Sequence, residues 1–375
     1  MRKVLWISLV LILLGLLGFG GWLMTLPPFM PAVVAPAIAP DEHAATVAAL
    51  KPPKRQRPVI AVIGINDGTE TTDYLMPTGI LRRADVADVL LVATAAGPVN
   101  LYPALKVDSD FSIEQFDARY PEGADYVIVP AMKRPDDATV LNWLRAQAKS
   151  GAIIVGVCVG ATVVANAGLL DGKRATTHWY SVREMRKQHP RIQYVPDRRF
   201  IVDDGVVTTT GISASLPIAV TLVEAIAGRA RAADLAREIG LKTWDASHRS
   251  EPFELSRDFA FQVVHNKAYF WKHEDMNIEL RPDMDIVSLA LMTDAWSRTY
   301  RSRAVTYAAM PEAVEMRFGV RVHPERALNG EMPAPWIVAL NPDEPARVLE
   351  ETLQDIRNRY GRRTRNVVAV QLEYL

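Results

Sequence analysis

The chain has a single cysteine, Cys158, in 375 residues. No internal disulfide can form, so stability must come from packing. The thiol is left free for chemistry or oxidation. An excess of one charge sign is also missing, since 43 basic side chains face 43 acidic ones. That balance removes any broad electrostatic pull toward nucleic acid or acidic partners. None of the seven histidines stands at zinc-site spacing, and a lone cysteine excludes a thiolate-rich metal site. No metal or cofactor is therefore expected. A phosphate-cradling loop is absent too, because GINDG (64–68) lacks both the lysine and the length. The basic run RNRYGRRTR (357–365) reads as a solvated helix end rather than a nucleic-acid patch.

What the chain does have begins with an uncharged run. After Arg2 and Lys3, residues 4–26 carry no charge. At ~1.5 Å per residue they span roughly 35 Å, enough for a bilayer core of about 30 Å. The run exceeds the ~7–15 apolar residues of a cleaved signal, so residues 1–26 read as a single-pass anchor. Positive charge ahead of the span places the N-terminus in the cytoplasm. The expected location is then the inner membrane, with the globular part in a periplasm. Residues 27–57, rich in Pro and Ala, read as a semi-extended tether.

From Pro58 onward, apolar runs of strand length alternate with helix candidates. The strand candidates are PVIAVIGI (58–65), VLLVATAA (89–96), ADYVIVPAM (124–132) and GAIIVGVCVG (151–160). Strands apolar on both faces, separated by helices, predict a parallel sheet covered on both sides. RFIVDDGVVTTTG (199–211) reads as a hairpin or paired strands, and a helix is expected from Ser215 to Ala227, capped by Ser215 and stopped by Gly228. Together these predict one α/β domain over residues 58–230. Residues 231–280 read as a connector.

Residues 281–375 carry an internal echo. The segment 285–325 runs through a helix with Arg near its end, a strand, Ala-Ala and a Pro-containing turn, as does 73–110. PWIVAL (335–340) resembles YVIVPA (126–131), and NVVAVQLEYL (366–375) resembles AIIVGVCVGA (152–161). The expectation is a degenerate half-copy, a smaller C-terminal α/β half-domain suited to covering the first domain's site or building a homodimer.

The chemistry centres on GVCVG (156–160). A strand entering a helix across a tight Gly-x-Cys-x-Gly turn is a nucleophile elbow. A thiol at a helix N-terminus is expected to have a lowered pKa. The N–H of Val159 points toward a developing oxyanion.

GVCVGATVVANAGLLDGKRATTHW (156–179) and TTTGISASLPIAVTLVEAIAG (208–228) resemble the ThiJ/PfpI family. This is a branch of the class I glutamine amidotransferase-like superfamily that includes deglycases and isonitrile hydratases. The resemblance covers about residues 58–230 and implies a flavodoxin-like three-layer sandwich with a mostly parallel sheet. It implies that Cys158 is the nucleophile. It also implies that Asp73, four residues before Pro77, is the acid bonded to it, with Glu70 as the alternative. His178 of the ATTHW segment becomes the imidazole that manages protons. Where the family has Pro-Gly-Gly after the third strand, this chain has Pro130-Ala131-Met132, so the second oxyanion amide falls to Ala131.

Two functions follow from the resemblance. One is a cysteine-dependent hydratase or hydrolase of small electrophiles, isonitrile hydratase-like or deglycase/glyoxalase-like. The other is a non-catalytic ligand- or redox-sensing module, related to the ligand-binding domain of AraC-type regulators.

Overall fold

The buried apolar runs pair into one sheet in the computed structural model, which describes residues 2–328, 330, 333–337 and 344–375. Its strands are β1 (Val59–Gly64), β2 (Asp88–Ala93), β3 (Phe111–Ser112), β4 (Tyr126–Val129), β5 (Ile153–Gly156), β6 (Phe200–Asp203) and β7 (Val206–Thr209). The order is β6-β7-β5-β4-β1-β2-β3. Every pair is parallel except the β6–β7 hairpin. All residues of β1, β4 and β5 are buried, as expected where helices cover both faces. One apolar core holds Tyr74, Ile80, Ile218 and Leu222 against the sheet. A second, on the opposite face, holds Val140, Leu144, Val163 and Val164. This is the flavodoxin-like three-layer arrangement. The Ser215–Glu238 helix breaks at Gly228, whose φ is 87°, the left-handed conformation that glycine adopts without a Cβ clash.

A smaller sheet follows, with strands β8 (Glu274–Glu279), β9 (Ser302–Ala308), β10 (Arg326–Ala327) and β11 (Trp336–Ile337). Its order is β10-β9-β8-β11, all parallel. That is also the order of β3-β2-β1-β4 in the larger sheet. The helix Ile286–Ser297 follows β8 as the helix Thr71–Ala84 follows β1.

Several expectations need correction. NVVAVQLEYL is not a strand, because Arg362–Gln371 is a helix that buries Thr364, Val367, Val368 and Val370. A short β-branched run has no period long enough to separate strand from helix, and packing decides. Residues 338–340 of PWIVAL lie outside the described residues. The strand β8 falls inside the span read as connector, where its alternating polar residues masked it. Within residues 27–57, read as a semi-extended tether, the stretch from 40 to 55 is docked. Pro40–Ala49 is a helix, Leu50 is fully buried, and Tyr126 Oη donates to the Leu50 carbonyl at 2.6 Å. Arg55 pairs with the buried Asp125 at 2.7 Å. Arg2–Thr25 is one helix. From Trp6 to Thr25 it is unburied and is long and apolar enough to cross a membrane. The helix running to Glu238 also meets that test but is largely buried as a core element.

Candidate active site

The elbow is built by backbone geometry. Leaving β5, Val157 N–H donates to the Val129 carbonyl at 2.9 Å, and Cys158 turns into the left-handed region with φ 56°. A non-glycine residue there costs roughly 1–2 kcal/mol, so its surroundings must hold it. The Cys158 N–H donates to Thr209 Oγ1 at 3.0 Å, and Thr177 Oγ1 donates to the Cys158 carbonyl at 3.0 Å. Gly160 opens the following helix because nothing larger fits. A Cβ there would lie 1.9 Å from the Val129 carbonyl oxygen.

Cys158, Asp73, Glu70, His178, Val159 and Ala131 all line one cavity of about 730 Å³. Six sites spread over a hundred residues of sequence are thus brought together at the carboxyl ends of the parallel strands. Their employments differ from the expected ones. Asp73 is buried and its Oδ2 accepts the Ala131 N–H at 3.0 Å. The amide expected to hold an oxyanion is therefore engaged by the acid. Glu70 caps the helix Thr71–Ala84, accepting from Asp73 N–H at 2.7 Å and Thr72 Oγ1 at 2.9 Å. His178 Nε2 bonds the Gln371 carbonyl at 2.9 Å, and its Nδ1 accepts from Tyr180 N–H at 3.3 Å. A carbonyl can only accept, so Nε2 carries the proton and the ring is a neutral, fixed tautomer. Burial lowers its pKa, against the opposing pull of Glu373.

The electrostatics also overturn the expected low-pKa thiol. Burial pushes the Cys158 thiol up, and the Asp73, Glu70 and Glu373 carboxylates push the same way. The Val159 N–H bond works the other way, toward the thiolate. Burial likewise raises Asp73, reinforced by Glu70. Burial and Asp294 bring Glu70 up to about 7, against the opposing pull of Arg298. Three buried acids side by side cannot all ionise, so protons are shared among Cys158, Asp73 and Glu70. The site therefore supplies a carboxylic acid beside a sulfur, a proton donor rather than a pre-ionised nucleophile.

Sequence reasoning missed the residues that reach this cavity from the C-terminal part. Arg298 Nη2 donates to Glu70 Oε1 at 2.6 Å and its Nε to Asp294 Oδ2 at 2.7 Å. Tyr300, Gln371 and Leu372 join the wall. Glu373 receives the Trp179 and Gly211 amides. No local motif marks their reach to the site, because Glu70, Trp179 and Gly211 lie far from them in sequence. Elsewhere the lining is aromatic and apolar, with Leu101, Tyr102, Met132, Trp179 and Phe259. Among the described residues no group of acidic, His or Cys side chains could hold a metal.

Residues 59–225 match the model of the DJ-1/PfpI family. The chain is 29% identical over 144 residues to the HTH-type transcriptional regulator CdhR of Pseudomonas aeruginosa, covering 38% of this chain and 41% of that one. It is 36% identical over 94 residues to the isonitrile hydratase of Pseudomonas putida, covering 25% of this chain and 40% of that one. The match thus spans about two fifths of each relative's length. Among solved structures, Drosophila melanogaster DJ-1beta aligns with a TM-score of 0.45 at 22% identity, over 50% of this chain and 99% of that one.

Proposed function

We propose, from the premise that residues 59–225 form a DJ-1/PfpI family domain, that this protein is a membrane-tethered, cysteine-dependent enzyme acting on a small, neutral electrophile. The observation that carries the reading is Cys158, held in a left-handed elbow and facing a cavity shared with two acids of raised pKa. An acid that keeps its proton suits addition across a carbon more than hydrolysis through an oxyanion, since Asp73 occupies the Ala131 amide. Hydration of an isonitrile fits this arrangement. The thiol adds to the terminal carbon, forming an S–C bond while a proton reaches the same carbon, which gives a thioimidate. Water then adds to that carbon, the S–C bond breaks, the sulfur regains its proton and an N-substituted formamide leaves. Asp73 donates and recovers the proton. His178, with both nitrogens engaged, orients the wall. Addition to an aldehyde, as in deglycase or glyoxalase chemistry, uses the same groups. The apolar, aromatic lining favours an uncharged substituent on the substrate.

The test is formation of the formamide from a simple alkyl isonitrile by the full chain in detergent. Turnover should be lost in Cys158→Ser and reduced about 100-fold or more in Asp73→Asn, the scale of a general acid. Binding of the isonitrile without turnover would instead favour the second reading, a ligand- or redox-sensing module. The similarity to a transcriptional regulator supports the ligand-sensing form of that alternative, whereas the raised thiol pKa disfavours the redox-sensing form, which needs a low-pKa thiol. The proposed location is the inner membrane, anchored by residues 4–26 with the rest on the periplasmic side. The polar-then-apolar order of the N-terminus supports it.

A further inference from the structure

Contacts between the first α/β domain and the C-terminal part of the chain follow a constant spacing of 215 residues. Asp108 and His323 are 215 residues apart and bond each other at 2.7 Å. At the same spacing, Val107 pairs with Val322 in an antiparallel bridge. The flanking backbone bonds are reciprocal. Asp108 N–H donates to the Arg321 carbonyl at 3.0 Å, and His323 N–H donates to the Lys106 carbonyl at 2.8 Å. The helices Thr71–Ala84 and Ile286–Ser297 begin at that spacing too, and they pack on each other. A Cβ on Gly79 would lie 2.6 Å from Val287 Cγ2 and 2.8 Å from Ile286 Cγ2. Their N-caps match, since Glu70 accepts the Asp73 N–H and Asp285 accepts the Ser288 N–H, each at 2.7 Å. Their arginines exchange. Arg83 Nη2 donates to Asp285 Oδ2 at 2.7 Å, and its equivalent Arg298 donates to Glu70 Oε1 at 2.6 Å.

Contacts in which i meets j′ and j meets i′ are the signature of an isologous two-fold interface. Here both sides belong to one chain. We infer that the part of the chain from β8 onward is an incomplete second copy occupying the place of a second subunit, and that Arg298 is the residue it contributes to the cysteine site. The two halves of this pseudo-dimer are unequal. The second has Ser288 where the first has Asp73, and the chain's only cysteine lies in the first. Arg83, the equivalent of Arg298, therefore serves a site with no nucleophile. Arg298 serves the one that has it.

Arg298 is thus a positioning residue. It is half of a partly buried ion pair with Glu70 and a cation in the cavity of Cys158, where the sulfur's acidic neighbours are Asp73, Glu70 and Glu373 and His178 is neutral. Desolvation opposes its charge, but Asp294 and Glu70 raise its pKa overall, so it stays cationic. Removing that charge leaves acids alone around the sulfur.

This inference rests on the proposed reactivity of Cys158, and its test separates the two. The rate of Cys158 alkylation by iodoacetamide is measured against pH on the full chain in detergent. Comparison is made among wild type, Arg298→Gln, Arg298→Lys and the pseudo-symmetric control Arg83→Gln. In Arg298→Gln the apparent thiol pKa should rise by about one unit, so that alkylation below it slows about tenfold. Arg298→Lys, which keeps the charge, should retain the wild-type profile. It also stands in if the Gln variant does not fold, since a profile displaced in the Lys variant as well would contradict a role through charge. Arg83→Gln should lower thermal stability without moving the profile. A profile unchanged in Arg298→Gln, or displaced equally in Arg83→Gln, overturns the inference while leaving the reactive thiol intact. A wild-type thiol that never alkylates sinks the functional reading and the inference with it.

Discussion

Glu373, two residues beyond the last helix, accepts the backbone N–H of Trp179 at 2.6 Å, and its other oxygen accepts that of Gly211 at 2.7 Å. One buried carboxylate therefore ties the end of the chain to both loops that flank His178. Glu373→Ala should strand two amides at about 1–3 kcal/mol each, lowering the thermal midpoint and loosening the cavity wall. An unchanged midpoint in detergent would show that water replaces the carboxylate without cost.

The raised acids predict an unusual pH dependence. Glu70 binds its proton up to about pH 7 when folded but only to about 4.3 when unfolded. Between those values the folded state holds more protons, so stability falls as pH rises. Its contribution is fully present below the unfolded pKa and lost through about pH 7. Asp73, raised in the same direction, adds to the trend. Thermal midpoints from pH 4.5 to 8 should therefore decline, and the decline should be shallower in Glu70→Gln. A rise with pH over that range would contradict the shared-proton description.

Two glycines test close approach at different places. Gly160→Ala forces a Cβ to 1.9 Å from the Val129 carbonyl oxygen. Backbone cannot yield as a side chain can, so the elbow should be lost and with it Cys158 reactivity. Gly79→Ala meets the Cγ2 methyls of Val287 and Ile286 at 2.6 and 2.8 Å, with the Val287 backbone nitrogen at ordinary contact distance, 3.7 Å. It should cost about 1–3 kcal/mol, measured by denaturant unfolding, and leave the elbow's geometry alone. Comparable damage from both would mean that the two sheets fold as one inseparable unit.

The anchor can be checked by topology. In right-side-out vesicles, added protease should degrade everything beyond residue 26 and leave a short membrane-protected fragment. A fully protected chain would place the globular part on the cytoplasmic side. Recovery of the protein in the soluble fraction would remove the anchor altogether.

The local features were legible because their causes are local. The strands β1, β4 and β5 are continuous apolar runs, and Gly156, Cys158 and Gly160 mark a tight strand-to-helix turn. Gly228 marks the helix break through its own φ. The candidate site residues could likewise be named from the pattern GVCVG and the family resemblance around it, and the fold places all six at one cavity. Tertiary structure alone decided what those residues experience. Burial, which pushes Cys158 up rather than down, depends on which elements close over the sulfur. The choice of helix for residues 362–371 rests on which face found an apolar partner. The bond from Arg298 to Glu70 joins groups 228 positions apart, a distance over which no local preference carries information. Backbone conformation is written residue by residue, whereas desolvation and charge pairing exist only once distant segments have met.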